Sequence, residues 1–386
     1  MLRIAIDGRM WSQPQPGGFK TYTTELVRAL AEIDGDNEYL VWLDRSLPET
    51  PPWAPVTGLR LHVMRSIGGW LAVPMREQVR LPLAWRRVRP DVIHLPCNTG
   101  PIWGEPPTVV TIHDTIEFFE RSWYGPVKEQ AVKRWLMSRY SQMVLRRVAQ
   151  RARAIITVSN CSKRDIMSNL HAAEDKIHVI PNAHARHCYP LDGTQFGVSF
   201  CERYGLPEQF ILSLASTSPR KNARGLLRIY ARLPEFLRRQ YPLVIVMTHN
   251  LLKLRLQTRA AQLGLEGQVR FLEQLSDADL ALAYNQAALF VYPSLYEGFG
   301  LPVLEAMACA TPVVASNRSS LPEVVGDAAI LCDPADEAQF AEAIVAVLLS
   351  PARQQALAEA GLRRAAIFSW QATARQTLAV YRSVAD

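Results

Sequence analysis

The sequence predicts an α/β protein with two domains, each built on a parallel β-sheet that helices cover. Apolar segments of strand length alternate with helical periods along the whole chain, as in RIAID near the start and TVVTIHD further on. The series of strands restarts at HVIPN (His178–Asn182), and 386 residues are too many for one typical core. We therefore predict a first domain over residues 1–182, a second over residues 183–365 and a last helix over residues 366–386.

The composition indicates a globular protein of a reducing compartment. Hydrophobic residues make up 48% and charged residues 20% of the chain, which is ordinary for a soluble protein. Six scattered cysteines without a Cys-x-x-Cys pair indicate free thiols. The first segment, MLRIAIDGRM, is a strand pattern that contains Arg3 and Asp7, so it does not resemble a signal peptide, and no apolar run reaches bilayer length. We expect a cytoplasmic protein.

The net charge of +7 is concentrated in the first domain. Residues 1–182 contain 24 Lys and Arg against 18 Asp and Glu, whereas residues 183–386 contain 19 against 18. The segment Val127–Arg153 holds eight cations and the single acid Glu129. Its apolar residues recur at helical spacing: Trp135, Leu136, Tyr140, Met143, Val144 and Val148. The pattern predicts an amphipathic helix whose basic face is either solvated or held against an anionic membrane surface.

Nucleic acid is not an expected partner. No helix-turn-helix, zinc-finger or RNP-type motif accompanies the basic segment. A metal is not expected either, because the cluster HARHC lacks a distant pair of ligands.

Four unusual loops follow predicted strands. Ligands of parallel α/β sheets bind beyond the carboxyl ends of the strands, where these loops would lie. They are the glycine turn opening Gln15–Leu30, His113–Thr115, Ser216–Asn222 and the stretch YEGFG at 296–300.

The stretch EGFGLPVLE places two acids around a glycine turn at the start of a helix. Pro302 suits the first helical position, so unpaired amides and the helix dipole would favour an anion at the turn. Glu305 then falls in the first helical turn, where it could accept hydrogen bonds from hydroxyl groups. Glu297 is available to a second hydroxyl-bearing group.

The adjacent cations Arg220 and Lys221 directly follow a predicted strand. Such a pair is a good ligand for a diphosphate, although an exposed basic turn would have the same sequence.

Taken together, these motifs resemble the retaining glycosyltransferases of family 4, the group 1 transferases. The resemblance covers essentially the whole chain. Its elements are PGGFKTYTTEL, VVTIHD, AIITVSNCSKRDI, SPRKN, EGFGLPVLE and TPVVASNRSSLPEVVGDAAILCDPAD.

The resemblance implies the GT-B architecture: two Rossmann-like domains whose parallel sheets face a central cleft. Residues 1–182 would bind the acceptor, residues 183–365 the nucleotide sugar, and the helix over 366–386 would cross back onto the first domain.

By the same analogy Glu305 binds the donor ribose, Glu297 the transferred sugar, and Arg220 and Lys221 the diphosphate. His113 would contact the sugar near the reacting carbon. The further donor-binding residues are Gly17, Gly18, Gly298, Phe299, Gly300 and Leu301. Acceptor-side candidates are His94, Asp114 and Trp103, although packing explains His94 equally well and Asp114 could cap the next turn.

The family also implies a reaction without metal or other cofactor, in which the fixed cations stabilise the leaving diphosphate. The donor would be a GDP- or UDP-sugar, with mannose from GDP-mannose as first choice. The acceptor would be a saccharide or lipid-linked saccharide, as in surface polysaccharide synthesis, on the inner face of a membrane. Family glycines are replaced at Lys20, Ala183 and Ala215, and a glycine-bearing turn by Met247–His249.

Three other classes of protein are compatible with the architecture: a nucleotide-sugar epimerase, a phosphorylase and a non-catalytic nucleotide-sugar-binding protein. No signature of a lysine-bound pyridoxal phosphate is present, as such a phosphorylase would need. A dinucleotide oxidoreductase is disfavoured, because no Gly-x-Gly-x-x-Gly follows the first strand.

Overall fold

The computed structural model describes residues 1–14, 17–47, 58–65, 71–104, 107–119, 131–191, 200–216, 218–247, 253–273 and 275–385, with the backbone alone at 131–135. The chain divides into two compact units. The first contains residues 1–182 and 369–386, and the second contains residues 183–368.

The first unit is built on a seven-stranded sheet in which every strand pairing is parallel. Its strands are β1 (Arg3–Ile6), β2 (Glu38–Leu43), β3 (Leu59–Val63), β4 (Val92–Leu95), β5 (Thr108–Thr111), β6 (Ala154–Thr157) and β7 (Ile177–Val179). The spatial order is β3-β2-β1-β4-β5-β6-β7. The segment HVIPN therefore does not begin the second domain: its first residues belong to β7, which closes the first sheet beside β6.

The described residues of the first unit before residue 182 form several helices. They are α1 (Gly18–Ile33), α2 (Ala72–Met75), α3 (Leu81–Val88), α4 (Ala131–Arg151) and α5 (Asn160–Leu170), with a π-helical segment (Arg76–Arg80) joining α2 to α3. Short 3-10 turns occur at Ile116–Phe118 and Glu174–Lys176. Strands β4 and β6 are buried along their whole length, because helices cover both faces of a parallel sheet.

The helix predicted for the basic segment is present as α4. Val144 and Val148 are buried against the sheet as expected. Leu136 and Met143, which the pattern assigns to the same apolar face, are instead 48% and 46% exposed. The residues of α4 that face the sheet lie in the second half of the helix. The predicted apolar face therefore wrongly included Leu136 and Met143. Residues 127–130 and the side chain of Trp135 lie outside the described residues.

The second unit is built on a six-stranded sheet, again entirely parallel. Its strands are β8 (Ile211–Ala215), β9 (Leu243–Met247), β10 (Val269–Glu273), β11 (Leu289–Tyr292), β12 (Val313–Ser316) and β13 (Ile330–Cys332), in the order β10-β9-β8-β11-β12-β13. Its helices are α6 (Ala223–Ala231), α7 (Glu235–Gln240), α8 (Lys253–Gln262), α9 (Asp277–Gln286), α10 (Leu301–Ala308), α11 (Leu321–Val325), α12 (Glu337–Leu348) and α13 (Pro351–Ala365), with a 3-10 turn at Pro219–Lys221. The prediction of two parallel α/β domains is confirmed.

The last helix, α14 (Trp370–Ala385), packs on the first unit, and the boundary of that unit falls at Ser369. The Thr373 hydroxyl donates to the carbonyl of Pro181 at 2.7 Å. None of the helices in the described residues is both long and apolar enough to cross a membrane.

Candidate active site

Two loops meet at the centre of the second sheet. The strand order reverses between β8 and β11, and such a switch point is where open α/β sheets bind ligands. The 3-10 turn Pro219–Lys221 follows β8, and the loop at 293–300 follows β11. The amide of Leu295 donates to the carbonyl of Arg220 at 2.7 Å, and the Asn222 side chain donates to the carbonyl of Pro293 at 3.1 Å. The backbone thus fixes the two cations against the glycine turn.

Glu297 is the centre of a buried polar cluster. Its Oε2 accepts from Arg220 at 2.6 Å, and its Oε1 accepts from Lys221 at 2.8 Å. The hydroxyl groups of Tyr292 and Ser294 also lie 2.8 and 2.6 Å from Oε1. Burial raises the pKa of Glu297, but Arg220 and Lys221 outweigh it and bring the pKa to about 2. Glu297 is therefore ionised at neutral pH.

The structure joins Arg220, Lys221 and Glu297 in one ion cluster. The assignment of Glu297 to a sugar and of the two cations to a diphosphate stays a prediction. Tyr292 and Ser294 are further members that the sequence did not single out. Their only signal was position, since Tyr292 is the last residue of β11 and Ser294 lies between it and the acid.

The glycine turn is held by two serines that were also not predicted. The Ser320 hydroxyl lies 2.9 and 2.8 Å from the carbonyl oxygens of Glu297 and Phe299, and the Ser319 hydroxyl accepts from the Glu297 amide at 2.8 Å. Gly300 has φ of 109°, and a Cβ there would lie 2.6 Å from a Leu321 methyl group. Only glycine fits this position without strain.

Helix α10 begins directly after Gly300, with Pro302 in its first turn. The amides of Gly300 and Leu301 precede the first intrahelical bonds and donate to no other residue that the structure describes. Together with Gly298 and the buried Phe299, they form the turn that the sequence predicts as an anion site.

Glu305 lies in the second turn of α10 and not in the first, where it was expected. Because the helix begins at Leu301, Glu305 is in its second turn, and the first turn holds no acid. Burial raises the pKa of Glu305 to about 7, opposed by the hydroxyl of Tyr284, which donates to Oε2 at 3.1 Å. A carboxylate at the helix end would have had a lowered pKa. Glu305 and Glu297 thus have opposite shifts within one loop and helix.

In the first unit, His113 follows the carboxyl end of β5. Its Nε2 lies 3.0 Å from the carbonyl oxygen of Pro96, which can only accept, so Nε2 carries the proton and Nδ1 is an acceptor. Burial lowers the pKa of His113 to about 4. The ring contacts Phe19 and Tyr22 of α1 edge-on at 5.0 and 4.6 Å between centroids. His113 is a neutral imidazole at physiological pH.

Gly17 and Gly18 lie at the same carboxyl edge, since α1 begins at Gly18 and its first turn reaches His113 through Phe19. Gly17 is extended, with φ of 162°, and a Cβ there would meet no atom of the other described residues within 4 Å. The packing of the first unit therefore does not require glycine at position 17.

His94 is a core residue, which corrects its assignment as an acceptor contact. It is completely buried, its Nδ1 lies 2.6 Å from the Tyr381 hydroxyl and its Nε2 lies 2.8 Å from the Thr111 hydroxyl. Burial lowers the pKa of His94 to about 3. Its two ring nitrogens are both occupied in joining β4 to β5 and α14.

The other two acceptor-side candidates have different positions. Asp114 caps the following 3-10 turn, because its Oδ1 accepts from the amide of Ile116 at 3.2 Å. Trp103 is 36% exposed but lies with Thr108, the first residue of β5, and therefore at the amino-terminal edge of the sheet. Trp103 and His113 thus lie at opposite ends of β5, which corrects the assignment of Trp103 as an acceptor-side candidate.

A buried ion cluster at the carboxyl end of β1 was not predicted. Arg9 donates to Glu77 at 2.6 Å and Arg76 to Asp7 at 3.0 Å, with all four side chains buried. Two cations and two acids balance each other there.

No group of three or more His, Cys, Asp or Glu within the described ranges could hold a metal ion. Of the turn Met247–His249, only Met247 lies within the described residues, and it is buried.

Comparison with known proteins gives matches over nearly the whole chain. The family model for glycosyltransferase family 4 matches residues 16–184, and the model for glycosyl transferases group 1 matches residues 203–364. The O-antigen chain mannosyltransferase B of Escherichia coli is 35% identical over 275 residues, which are 71% of this chain and 70% of that protein. The serotype-specific mannosyltransferase WbdA of Escherichia coli is 33% identical over 270 residues, which are 69% of this chain but only 32% of that longer protein.

Among solved structures, the sucrose-phosphate synthase of Thermosynechococcus elongatus superposes with a TM-score of 0.77. The match covers 100% of this chain and 99% of that one at 22% identity, and it therefore bears on the fold alone.

Two parallel α/β units with these strand orders, one carrying a glycine turn and paired cations at its switch point, define a glycosyltransferase of the GT-B class. More narrowly, the chain belongs to the group 1 glycosyltransferases of family 4.

Proposed function

We propose that this glycosyltransferase moves mannose from GDP-mannose to a saccharide or lipid-linked saccharide in surface polysaccharide synthesis. The cluster of Arg220, Lys221 and Glu297 at the switch point of the second sheet carries this proposal, because it provides fixed cations for a diphosphate. The names of the relatives support the choice of sugar and pathway, since one is an O-antigen chain mannosyltransferase and the other a serotype-specific mannosyltransferase. They do not favour an epimerase, a phosphorylase or a non-catalytic protein.

The cations would act on the leaving group. The bond from the anomeric carbon to the diphosphate breaks, and negative charge builds on the phosphate oxygens. Arg220 and Lys221, already oriented by Glu297, would stabilise that charge more than the charge of the ground state. The amides of Gly300 and Leu301 would contribute in the same way. This chemistry needs no metal.

Retention of configuration would follow from attack on the face that the diphosphate leaves. The new bond forms between the acceptor oxygen and the anomeric carbon, and the acceptor proton passes to the departing phosphate oxygen. The two-carboxylate scheme of retaining glycosidases is a poor model, because Glu297 is held in an ion cluster and Glu305 on a helix behind it. The Nδ1 lone pair of His113 would accept a hydrogen bond from a sugar hydroxyl.

The first test is calorimetric titration of GDP, GDP-mannose, UDP and UDP-glucose in the presence of EDTA. We expect GDP and GDP-mannose to bind without metal. Glu305→Ala should weaken binding by roughly 1–3 kcal/mol, as for a lost hydrogen bond to a charged group. Glu342→Ala, which changes an exposed acid of α12, is the control. Equal affinity in wild type and Glu305→Ala would contradict the assignment of Glu305 to the nucleotide site. Binding of UDP in place of GDP would contradict GDP-mannose as the donor.

We also propose that α4 rests on the inner, cytoplasmic surface of a membrane. Leu136, Arg139, Met143, Arg146 and Arg147 are exposed and recur at three- or four-residue spacing, so they share one face of the helix. Flotation with vesicles of phosphatidylglycerol should carry the protein and should weaken as salt is added. Flotation that is equal with phosphatidylcholine vesicles, or that ignores salt, would contradict this proposal.

A further inference from the structure

A cavity of about 250 Å³ lies at the amino-terminal edge of the first sheet, away from the loops described above. It borders Thr108, the first residue of β5, and Arg153, which directly precedes β6. His113 lies five residues beyond Thr108, after the carboxyl end of β5. At about 3.3 Å per residue, roughly 16 Å of strand separates the two places. The cavity is therefore distinct from the predicted transfer site.

The interior of the cavity is apolar. Its floor is formed by core residues that are at most 4% exposed: Trp85, Ile93, Leu95, Val148 and Ala152. A ligand that fills this floor must present apolar surface to it.

The rim of the cavity is cationic. Arg86, Arg151 and Arg153 line it and are exposed, and no described lining residue is acidic. Three guanidinium groups around one opening repel each other unless an anion lies between them, and guanidinium is the side chain best suited to phosphate.

The rim is also preorganised. The guanidinium of Arg86 lies over the ring of Trp103, 5.4 Å from its centroid, and Arg151 donates to the carbonyl of Gly104 at 3.1 Å. These contacts attach the segment that carries Trp103 to both α3 and α4. The exposed indole face therefore stays at the opening instead of moving freely in solvent.

An apolar stripe leads to the same opening. Met75, Val79 and Leu83 recur every four residues along α2, the π-helical segment and α3, and they are 45%, 38% and 49% exposed. Arg86 continues this face three residues beyond Leu83. A chain extending from the cavity would meet apolar surface next, which favours a lipid-like ligand over a small free anion.

We infer that this cavity binds an anionic amphiphile, a phosphate ester with an apolar tail. The phosphate lies among Arg86, Arg151 and Arg153, and the first part of the tail lies on Trp103 and the apolar floor. A membrane phospholipid and the lipid carrier of an acceptor share this chemistry. The inference depends neither on the identity of the sugar donor nor on the exposed face of α4.

Calorimetry with monomeric ligands tests the inference without a bilayer. The probes are dihexanoyl phosphatidylglycerol, farnesyl phosphate and inorganic phosphate, and they are titrated into the full chain. We expect at least one of the two amphiphiles to bind, and inorganic phosphate to bind far more weakly. The amphiphile that binds more tightly identifies whether the source is a phospholipid or an isoprenoid carrier.

The variants Arg86→Ala and Trp103→Ala should each lower the affinity roughly tenfold or more. Arg87→Ala, which removes an exposed arginine of α3 that does not line the cavity, should leave it unchanged. GDP affinity should be the same in all of these variants, which separates this site from the donor site. Equal loss with Arg87→Ala, equal binding of inorganic phosphate, or no binding of either amphiphile would overturn the inference.

Discussion

Nη1 of Arg220 lies 2.6 Å from Oε2 of Glu297, in an ion pair whose acid is only 6% exposed. The acid therefore orients the cation in the structure of the chain alone. This preorganisation would stabilise the negative charge that builds on the phosphate oxygens in the transition state. The cation is already oriented and need not move when the leaving group forms.

Replacing Glu297 by Gln should destabilise the second unit. Arg220 and Lys221 would lose their counter-charge, which should lower the free energy of unfolding by about 2 kcal/mol. The roughly 3–5 kcal/mol of a fully buried pair is not expected, because the Arg220 side chain is 22% exposed. Urea denaturation at neutral pH measures the change, with the exposed acid Glu342→Gln as control. An unchanged midpoint would show that the cluster does not contribute to stability.

The same acid makes stability depend on low pH. The pKa of Glu297 is about 2 in the folded chain against an ordinary value of 4.5, so its contribution is complete above pH 4.5 and is lost as the pH falls toward 2. The shift corresponds to at most about 3 kcal/mol. Glu297→Gln should flatten this part of the stability curve. A curve that stays as steep in the variant as in the wild type would contradict the lowered pKa.

Glu305 should act in the opposite direction. Its pKa of about 7 lies above the ordinary value of 4.5. The contribution of Glu305 to the free energy of unfolding is therefore complete below pH 4.5 and is lost as the pH rises through 7. If ribose hydroxyls donate to the ionised form, GDP affinity should increase between pH 6 and pH 8. Titrations across this range should show a steeper increase in wild type than in Glu305→Gln, because the terminal phosphate of GDP also ionises at about pH 6. An equal slope in Glu305→Gln would assign the additional titration to another group.

His113 should remain neutral throughout the physiological range. Burial lowers its pKa to about 4, so its NMR titration midpoint should lie near that value, far below the ordinary 6.5. Unfolding exposes the ring, and the stability associated with His113 is therefore lost as the pH falls from 6.5 toward 4. His113→Gln should remove this loss. A midpoint between 6 and 7 would exclude the neutral-imidazole role.

Two glycines of the predicted site should respond differently to alanine. Gly300→Ala should lower the free energy of unfolding by about 1–3 kcal/mol, because its φ of 109° is unfavourable for alanine and the new Cβ would overlap Leu321. Gly17→Ala should change stability by less than about 0.5 kcal/mol, since its φ is extended and the space beside it is open. Thermal denaturation compares the two. Similar losses would show that the glycine turns are equivalent, against the structure.

Much of the fold was predictable because parallel sheets buried on both faces leave long apolar runs, as in β6 and β11. The loops of the candidate site were predictable for a related reason: His113, Arg220 and Glu297 are polar residues in the loops that follow β5, β8 and β11. The assignment of these residues to parts of a donor remains a prediction.

The features that the sequence did not predict depend on where a helix begins and on contacts between residues that are far apart in the sequence. Whether Glu305 lies in the first or second turn depends on a shift of one residue in the start of α10, which propensity does not determine. His94 was ambiguous because its partner Tyr381 is 287 residues away. Trp103 was predicted as an acceptor-side candidate, although it lies at the amino-terminal edge of the sheet, opposite His113.

The docking of α14 has a consequence for the order of events during translation. A ribosome completes residues 1–182 and then all of residues 183–368 before it adds the helix whose Tyr381 meets His94. Domains generally fold as units while synthesis proceeds from the amino terminus. Part of the core of the first-made unit therefore stays open until α14 is synthesised, because Tyr381 and the rest of that helix are added last.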